Sequence, residues 1–313
     1  MDSDRRKRTD PRELAAVFEA ERPRLTRLAY RMTGIMAEAQ DLVQETYIRL
    51  HGQGGELRQP AAWLTTTLTR LAIDHLRAAK LRRADYTGPW LPEPDRAEVV
   101  EIGDDGRGAE RVELADDLSL AFMLVLENLP PAERAAFLLH DAFGHDHAAV
   151  AAILGKSEAA VRQLVSRGRA RLQAARPGIH VPKARRDAVA HRFIDALIAG
   201  DGEGLAANLQ AEAVLLSDGG GKRKAALNPI RGADRILRFF AGIARKQARP
   251  WQFRRLLVNG DPGLAALDED GLRFVMVPTV KGDGVGEILM IANPDKLAAV
   301  AAALTPGPES GRR

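Results

Sequence analysis

The spacing of apolar residues changes near residue 180, and this change constrains the fold more than any other feature of the chain. In two earlier stretches, 12–83 and 118–175, apolar residues recur at helical spacing. Beyond residue 184, short apolar or alternating runs are separated by turns such as Asn259-Gly260-Asp261, a pattern typical of strands. We therefore predict a multidomain protein, in which two all-α domains are followed by an α+β domain.

The composition excludes several classes of site. The chain of 313 residues has no cysteine, which excludes disulfide frameworks, thiolate zinc sites, iron–sulfur clusters and cysteine nucleophiles. Residues 1–11 are polar and carry no secretory signal, and no apolar run approaches the length of a membrane-spanning helix. We expect a cytoplasmic protein that has no membrane partner, binds no metal and needs no cofactor.

An acidic segment divides the helical part of the chain. Between Asp85 and Asp117 there are eleven acidic residues against three arginines, and prolines occupy positions 89, 92 and 94. We interpret this segment as a flexible acidic linker. The predicted order is a three-helix domain at 12–84, the linker at 85–117, a second helical domain at 118–176, the α+β domain at 184–304 and a flexible tail at 305–313. Within the α+β domain, helices are predicted at 185–198, 204–209 and 232–246, and strands at 213–216, 251–257, 271–280 and 285–291.

The second helical domain contains a pattern typical of a helix-turn-helix. Gly155 permits a tight turn and Ser157 is a good N-cap for the helix that follows. Such a helix lies in the DNA major groove, where arginine bridges guanine and glutamine bridges adenine. A plain helical hairpin with a solvated basic face is the alternative. The predicted outward residues, facing bases first and phosphates later, are Glu158, Arg162, Gln163, Ser166, Arg167 and Arg169.

The first helical domain resembles region 2 of bacterial sigma factors of the extracytoplasmic-function (ECF) class. The resemblance lies in Asp41-Leu42-Val43-Gln44-Glu45-Thr46-Tyr47-Ile48-Arg49 and in Pro60-Ala61-Ala62-Trp63-Leu64 with the basic helix after it. Leu129-Pro130-Pro131-Ala132-Glu133-Arg134 and the helix-turn-helix resemble region 4 of the same class. The resemblance covers nearly all of residues 12–176 in the right order.

This resemblance implies a transcription initiation factor that binds core RNA polymerase, recognises the −35 and −10 promoter elements and contains no catalytic residue. Trp63 and Tyr86 are candidates for stacking on unpaired bases, although core packing is the stronger alternative for Trp63. Solvated helix faces are the alternative for the charged positions. The residues expected to contact core polymerase are Asp41, Gln44, Glu45 and Arg49. Those expected to face the −10 element are Arg70, Arg77, Lys80, Arg82 and Arg83.

Three further strings resemble the SigJ-like subgroup, in which a SnoaL-like domain is fused to the sigma regions. The fold implied for the C-terminal domain is a curved sheet with helices forming a cone, and the implied role is regulation by interdomain contact. A stiff spacer and a simple hairpin turn are the plainer alternatives, and whether the domain activates or inhibits stays open. The residues of the strings are Trp90, Leu91, Pro92, Glu93 and Pro94 in the linker, Asp218, Gly219, Gly220, Gly221 and Lys222, and Asn293, Pro294, Asp295 and Lys296.

Four other hypotheses are weaker. Residues His140, Asp141, His145, Asp146 and His147 resemble a metal cluster, but they fall between two helices of the region 4 pattern. His191 and Asp195 share a helix face, which would suit an acid–base pair in an enzyme of the SnoaL type. A small-molecule ligand of the C-terminal domain is a further possibility. A promoter-specific regulator without polymerase contact is the alternative within the DNA-binding class.

Overall fold

The computed structural model describes residues 11–53, 57–83, 85–95, 99–101, 119–175, 182–246 and 250–304, with no description of the side chains at 81, 82 and 175. The chain forms two compact units. Unit 1 comprises Met1–Ala84 and Val125–Ala175, and unit 2 comprises Asp85–Leu124 and Arg176–Arg313. Among the described helices, none is both long and apolar enough to cross a membrane.

The first part of unit 1 is a three-helix bundle, as the periodicity predicted. Its helices are α1 (Pro11–Thr33), α2 (Met36–His51) and α3 (Pro60–Arg83). Gly34 follows α1 with a φ of 73° and donates its amide to the Tyr30 carbonyl at 2.7 Å, which ends the helix. Pro60 opens α3, where its missing amide costs nothing. The core is formed by Leu14, Phe18, Leu25, Leu28, Leu50, Leu64 and Leu68.

The second part of unit 1 contains the helix-turn-helix. It follows α4 (Leu120–Leu126) and comprises α5 (Pro131–Phe137), a π-helical turn (Leu138–Ala142), α6 (His147–Leu154) and α7 (Glu158–Ala175). Asp146 caps α6 by accepting the Ala149 amide at 2.7 Å, and Ser157 caps α7 by accepting the Ala160 amide at 3.2 Å. Gly155, with a φ of 62°, makes the turn between α6 and α7. The continuous helix predicted over 132–143 instead changes to π-helical geometry at residue 138.

Unit 2 is built on a seven-stranded sheet with the strand order β1-β4-β5-β6-β7-β2-β3. All neighbouring strands are antiparallel except β2 and β7, which are parallel. The strands are β1 (Val99–Glu101), β2 (Leu209–Asp218), β3 (Ile230–Arg231), β4 (Gln252–Val258), β5 (Asp261–Asp268), β6 (Gly271–Lys281) and β7 (Gly284–Ile291). The helices are α8 (Lys183–Ala199), α9 (Gly202–Asn208), α10 (Ala233–Lys246) and α11 (Pro294–Leu304), together with the start of α4.

Both faces of this sheet are covered. Side chains alternate between the faces along a strand, so Met276 and Val277 belong to different cores. The first core joins the sheet to α8, α9 and α10 through residues such as Phe193 and Ile236. The second core joins it to α11 through Leu297, Val300 and Leu304, and to Leu91, Leu120 and Ala121 from the segment that precedes region 4.

Several predictions for 85–117 and the α+β domain are corrected by the structure. Residues 85–95 are not a flexible linker: Leu91 is fully buried, and β1 pairs with β4 in the register Val99↔Val258. The predicted linker at 96–98 and 102–117 and the tail at 305–313 lie outside the described residues. Strands β1, β3 and β5 and helix α11 were not predicted, whereas the four predicted strands and three predicted helices are present with boundaries shifted by a few residues. Unit 1 resumes at Val125, later than the predicted start at 118.

Candidate functional sites

The outer face of α7 carries all six residues that the sequence predicts for the −35 contact. Val161, Leu164 and Val165 are buried and pack α7 against the rest of unit 1, so the opposite side of the helix faces outward. Gly168 is also buried, and it packs so closely against α5 that a Cβ there would lie 3.4 Å from the Cβ of Phe137. The residues exposed on the outer face are Glu158, Arg162, Gln163, Ser166, Arg167 and Arg169.

Ion pairs fix the arginines of α7 to different degrees. The Arg167 Nε donates to the buried carboxylate of Glu133 at 2.9 Å, and the Arg169 Nε donates to Asp141 at 2.9 Å. The Asp141 hydrogen bond raises the pKa of Arg169 above its ordinary value, so this side chain stays charged. Arg162 has only a long, exposed pair with Glu158 at 3.4 Å, one turn earlier. Arg162 is therefore the side chain of this group that most readily changes partner.

An open cleft of about 380 Å³ lies along the same face of unit 1. It is lined by His147 of α6 and by Arg162, Ser166, Arg169 and Gln173 of α7, among others. The surface is polar and rich in arginine, which suits phosphates and base edges.

The predicted −10 residues on α3 divide into three groups. Arg70, Arg77 and Lys80 are exposed, and Arg77 pairs only with Asp74 at 3.0 Å on the same helix. The side chain of Arg82 lies outside the described residues. Arg83 has internal partners, because it donates to the Thr33 carbonyl at 2.9 Å and pairs with Glu127 inside unit 1, and its predicted −10 contact stays a prediction. Its guanidinium links the two parts of unit 1.

The two aromatic candidates for base stacking are placed differently. Trp63 is only partly exposed on α3, next to the buried Leu64 and Thr65. The Tyr86 hydroxyl is hydrogen-bonded to Asp218 in unit 2 at 2.6 Å. The prediction that the Tyr86 ring stacks on unpaired bases stays a prediction.

The four residues predicted to contact core polymerase lie on one face of α2. Asp41, Gln44 and Arg49 are exposed, and Glu45 is partly exposed with a 2.7 Å ion pair to Arg49. Ile48, which was not predicted as a contact residue, lies on the same face and is 56% exposed. Ile48 lies seven residues after Asp41 and four after Gln44, and this helical spacing already predicts that it shares their face.

The three strings of the C-terminal subgroup meet at one buried carboxylate in unit 2. We call Tyr86, Leu91, Asp218, Asn293 and Lys296 the Asp218 cluster. Asp218, fully buried at the end of β2, accepts hydrogen bonds from the Tyr86 hydroxyl at 2.6 Å and the Leu91 amide at 2.9 Å. Its carboxylate also accepts from the Lys296 ammonium at 2.7 Å, and its carbonyl accepts the Asn293 amide at 2.8 Å.

Lys296 is held as a buried cation. It is 5% exposed, and its ammonium donates to the Leu91 carbonyl as well as to Asp218. The ammonium lies 4.3 Å from the ring centroid of Trp90 and 5.1 Å from that of Tyr86. A carboxylate, a carbonyl and two aromatic faces together compensate the loss of water around the charge.

Tyr86 stays protonated in this cluster. Burial raises the pKa of its phenol, and its hydrogen bond to the Asp218 carboxylate raises it further. The hydroxyl also accepts the Asn293 Nδ2 at 3.0 Å. Tyr86 therefore donates to Asp218 and accepts from Asn293, so both capacities of the hydroxyl are used.

The glycine string allows the cluster to close. Gly220 has a φ of 60°, its amide donates to Asp218 at 3.0 Å, and a Cβ there would overlap the Asn293 side chain. A Cβ at Gly219 would likewise overlap the Arg223 carbonyl. Gly221 has a φ of 70° and lies beside Thr87. These residues need glycine for backbone conformation and for close approach.

The remaining residues of the strings surround the cluster. Pro92, Glu93 and Pro94 are buried, and the Asp95 amide donates to Asn259 at 3.0 Å. Pro294 opens α11, and the Asp295 amide donates to Asn293 at 3.1 Å. Lys222 and Asp295 form an exposed ion pair outside the cluster. Asn259 is fully buried and has a φ of 51°, and its contact with residue 95 was not predicted. The turn at 259–261 is the sequence feature that marks this position.

The weaker hypotheses gain no support from the geometry. Nδ1 of His140 donates a hydrogen bond to the His145 carbonyl at 2.7 Å, and His145 Nε2 lies 2.6 Å from the Arg24 guanidinium. No group of three or more potential ligands is placed for a metal ion among the residues that the structure describes. In unit 2 the Asp195 carboxylate pairs with Arg255 at 2.6 Å.

Comparison with known proteins identifies the parts of the chain. The Sigma-70 region 2 family matches residues 17–82, and the Sigma-70 region 4 family matches residues 119–172. The chain is 40% identical over 292 residues to the ECF RNA polymerase sigma factor SigJ of Mycobacterium tuberculosis, which covers 89% of this chain and 91% of the relative. It is 30% identical over 307 residues to the probable sigma factor SigI of the same species, covering 94% of this chain and 98% of that relative.

One solved structure matches nearly the whole chain. The crystal structure of Mycobacterium tuberculosis SigJ superimposes with a TM-score of 0.69 at 36% sequence identity, covering 91% of this chain and 98% of that one. The match includes the α+β part as well as the two sigma regions. The predicted fold class, two helical sigma domains with a fused α+β domain, is therefore confirmed.

Proposed function

Since the chain belongs to the extracytoplasmic-function family of RNA polymerase sigma factors, we propose that it binds core RNA polymerase, recognises the −35 and −10 elements of its promoters and promotes initiation. Proteins of this family are transcription initiation factors and not enzymes. The observation that carries the proposal is the outer face of α7, where six predicted DNA-facing residues are exposed together on a capped, well-packed helix.

The −35 element is read by α7. Arg162 and Gln163 lie near its N-terminus, where a recognition helix meets base edges, and Arg162 is held only by an exposed pair. Arg167 and Arg169 are oriented by Glu133 and Asp141, which suits contacts with phosphates at fixed positions. Glu158 and Ser166 complete the surface.

The −10 element is bound along α3. Arg70, Arg77 and Lys80 are exposed and neutralise phosphates, which lowers the cost of holding the strand during opening. Arg83 is assigned a structural role instead.

Core polymerase docks on the α2 face formed by Asp41, Gln44, Glu45, Ile48 and Arg49. Ile48 supplies the apolar contact at the centre of this otherwise polar face. An exposed isoleucine among charged residues is favourable once a partner covers it, because burial removes its apolar surface from water.

The α+β domain regulates the factor through the Asp218 cluster. Tyr86 follows the end of α3 by only three residues in the chain, and Leu120 and Ala121 lie at the start of the region 4 segment. All three are held in unit 2, Tyr86 by Asp218 and the other two by the second core. Unit 2 therefore holds both ends of the connection between region 2 and region 4. This arrangement supports a role for the α+β domain in setting the distance between region 2 and region 4 that binding of both promoter elements requires.

In vitro transcription tests the proposal. Purified full-length chain and core polymerase are incubated with fragmented genomic DNA, and RNA 5′ ends are mapped against core alone. We expect ends that depend on the chain and share two spaced upstream motifs. Arg162→Ala should reduce these ends, whereas Arg185→Ala, which alters an exposed arginine paired with Asp283, should not. No dependent ends together with no core binding would refute the proposal and favour a promoter-specific regulator.

A further inference from the structure

Helix α10 of the α+β domain carries a row of cations on its solvent side. Arg235, Arg238, Arg245 and Lys246 are all exposed, and Arg231 is exposed in the strand just before the helix. At 3.6 residues per turn, positions 235, 238, 242, 245 and 246 share one side of the helix. Asp234 is the one acidic residue in the sequence of α10. We call Arg231, Arg235, Arg238, Arg245 and Lys246 the basic face of α10.

This face is not neutralised within the protein. In the described part of the chain, none of its five cations forms an ion pair, and the Arg245 Nε meets only its own helix at the Ala241 carbonyl. Other cations of unit 2 differ in this respect. Arg185 pairs with Asp283, Arg254 with Glu101, Arg255 with Asp195, Arg273 with Asp268, and Lys222 with Asp295. The basic face therefore concentrates positive charge that no carboxylate of the described residues neutralises by an ion pair.

The opposite side of α10 anchors it. Ile236 is fully buried, and Leu237, Phe239 and Phe240 pack against the core beneath the sheet. The Phe240 ring lies 6.4 Å from Phe193 of α8. A helix fixed by this packing presents its cations on a rigid surface, so little ordering of the backbone is needed on binding.

Small residues leave room for a close approach. Gly242 lies in the middle of the basic face, and no atom lies within 4 Å of the position that a Cβ would occupy. Ala241 and Ala244 are exposed beside it. Between Arg238 and Arg245 the exposed positions therefore carry only small side chains, and a phosphate backbone can come close to the helix.

We propose that the basic face of α10 binds the phosphate groups of duplex DNA. The stretch from Arg235 to Lys246 is about 17 Å long at 1.5 Å per residue, and duplex DNA carries one negative charge per ~1.7 Å of its axis. Guanidinium groups match phosphate oxygens in a two-point geometry. The inference rests on the proposed function, because it gives the α+β domain a sequence-independent contact with promoter DNA in addition to the contacts proposed for α3 and α7.

Salt dependence provides the first test. The full-length double variant Arg235→Gln/Arg238→Gln is compared with wild type on a short duplex of arbitrary sequence over a range of salt concentrations. Each phosphate contact contributes about 0.9 to the slope of log K against log salt, so we expect the slope to flatten by roughly 2. The matched control Arg185→Gln/Arg273→Gln removes the same charge from arginines that are already ion-paired. A wild-type slope in the α10 variant, or an equal change in both variants, would overturn the proposal.

Tethered cleavage provides the second test and separates the two proposals. The chain has no cysteine, so an iron–EDTA probe attaches only at an introduced one. We expect the probe on Ala241→Cys to cut DNA in the complex with core polymerase, and the probe on Asp283→Cys, an exposed turn residue, not to. Cuts in polymerase subunits instead of DNA would show an acidic protein partner and refute the inference. If wild type fails to initiate, the sigma function fails, while the salt-dependence test on the arbitrary duplex still judges the basic face.

Discussion

Helix α7 of unit 1 and the Asp218 cluster of unit 2 both carry charged side chains, but they use them in opposite ways. On α7 the charged groups are exposed, and Arg162 has only a weak pair that a partner can replace. In the cluster, Asp218 and Lys296 are buried, and each has several partners. The first arrangement leaves charge available for recognition. The second uses buried charge to hold residues 86–91 in unit 2.

This difference predicts which substitutions damage the fold and which damage binding. An exposed pair contributes little to stability, since water competes with it and salt screens it. Removing one partner of a buried pair leaves the other charge without compensation. Changes in the Asp218 cluster should therefore alter folding of unit 2, and changes on α7 should alter promoter affinity at constant stability.

The largest effect is expected for Asp218→Ala. It removes the carboxylate that pairs with the buried Lys296 ammonium, and it also removes the acceptor of the Tyr86 hydroxyl. We expect a loss of about 3–5 kcal/mol in the free energy of unfolding, measured by urea denaturation, with increased proteolysis at 85–95. The control Asp295→Ala breaks the exposed pair with Lys222 and should cost less than about 1 kcal/mol. Equal costs would abolish the contrast between buried and exposed charge.

The next effect is expected for Arg162→Ala on DNA. It removes a candidate base contact, so binding to a specific promoter should weaken by ~1–3 kcal/mol with relaxed preference at one −35 position. The free energy of unfolding should stay within about 0.5 kcal/mol of wild type, because the side chain is exposed. Binding measured on promoters altered base by base checks the first part. An equal loss on every sequence would show that Arg162 contacts only phosphate.

A smaller effect is expected for Arg77→Ala. This exposed residue of α3 pairs only with Asp74, so its loss should leave the fold intact and flatten the salt dependence of DNA binding by about one phosphate contact. Arg83→Ala is the informative companion, because Arg83 is tied to Thr33 and Glu127. It should lower the stability of unit 1. An unchanged salt slope for Arg77→Ala would remove this residue from the phosphate contacts.

The sequence predicted the helices of unit 1 well because each has a regular apolar face and clear end signals, such as Pro60, Gly34 and Ser157. Strand β5 was missed for a physical reason. It begins Asp261-Pro262-Gly263, a composition typical of a turn, yet Gly263 is required there because a Cβ would lie 2.9 Å from Val258 and 3.1 Å from the Met276 carbonyl. The glycine marks close packing between strands and not a chain reversal.

The sites were predicted unevenly for a related reason. The outward residues of α7 follow from helical periodicity alone. The strings of the Asp218 cluster were found by resemblance, but their chemistry depends on contacts across the chain: Leu91 and Asp218 are 127 residues apart. Arg83 was predicted to face DNA because it ends the basic helix that the resemblance places at the −10 element, and Tyr86 because it is an aromatic residue just after that helix. Only the tertiary structure reveals that each already has an internal partner.

The smallest effect concerns pH and sharpens the comparison within unit 1. Burial lowers the pKa of His145, and the neighbouring Arg24 charge lowers it further. Neutral His145 accepts from the Arg24 guanidinium at 2.6 Å, and protonation would place two cations in contact. Because the pKa of the folded state lies below the unfolded value of 6.5, this stabilisation is present above pH 6.5 and is lost as pH falls below it.

His145→Gln tests this dependence, since a glutamine oxygen still accepts from Arg24 but does not titrate in this range. Urea denaturation at pH 7.5 and 5.5 should show a smaller loss of stability on acidification for the variant than for wild type. The other charged groups near this contact are Glu21, which pairs with Arg24 at 3.2 Å, and Asp146, which opposes the downward shift. Both groups remain in the variant, so their contributions cancel when the pH dependence of its stability is compared with that of wild type. An identical pH dependence in the two proteins would show that His145 does not couple proton binding to the stability of unit 1.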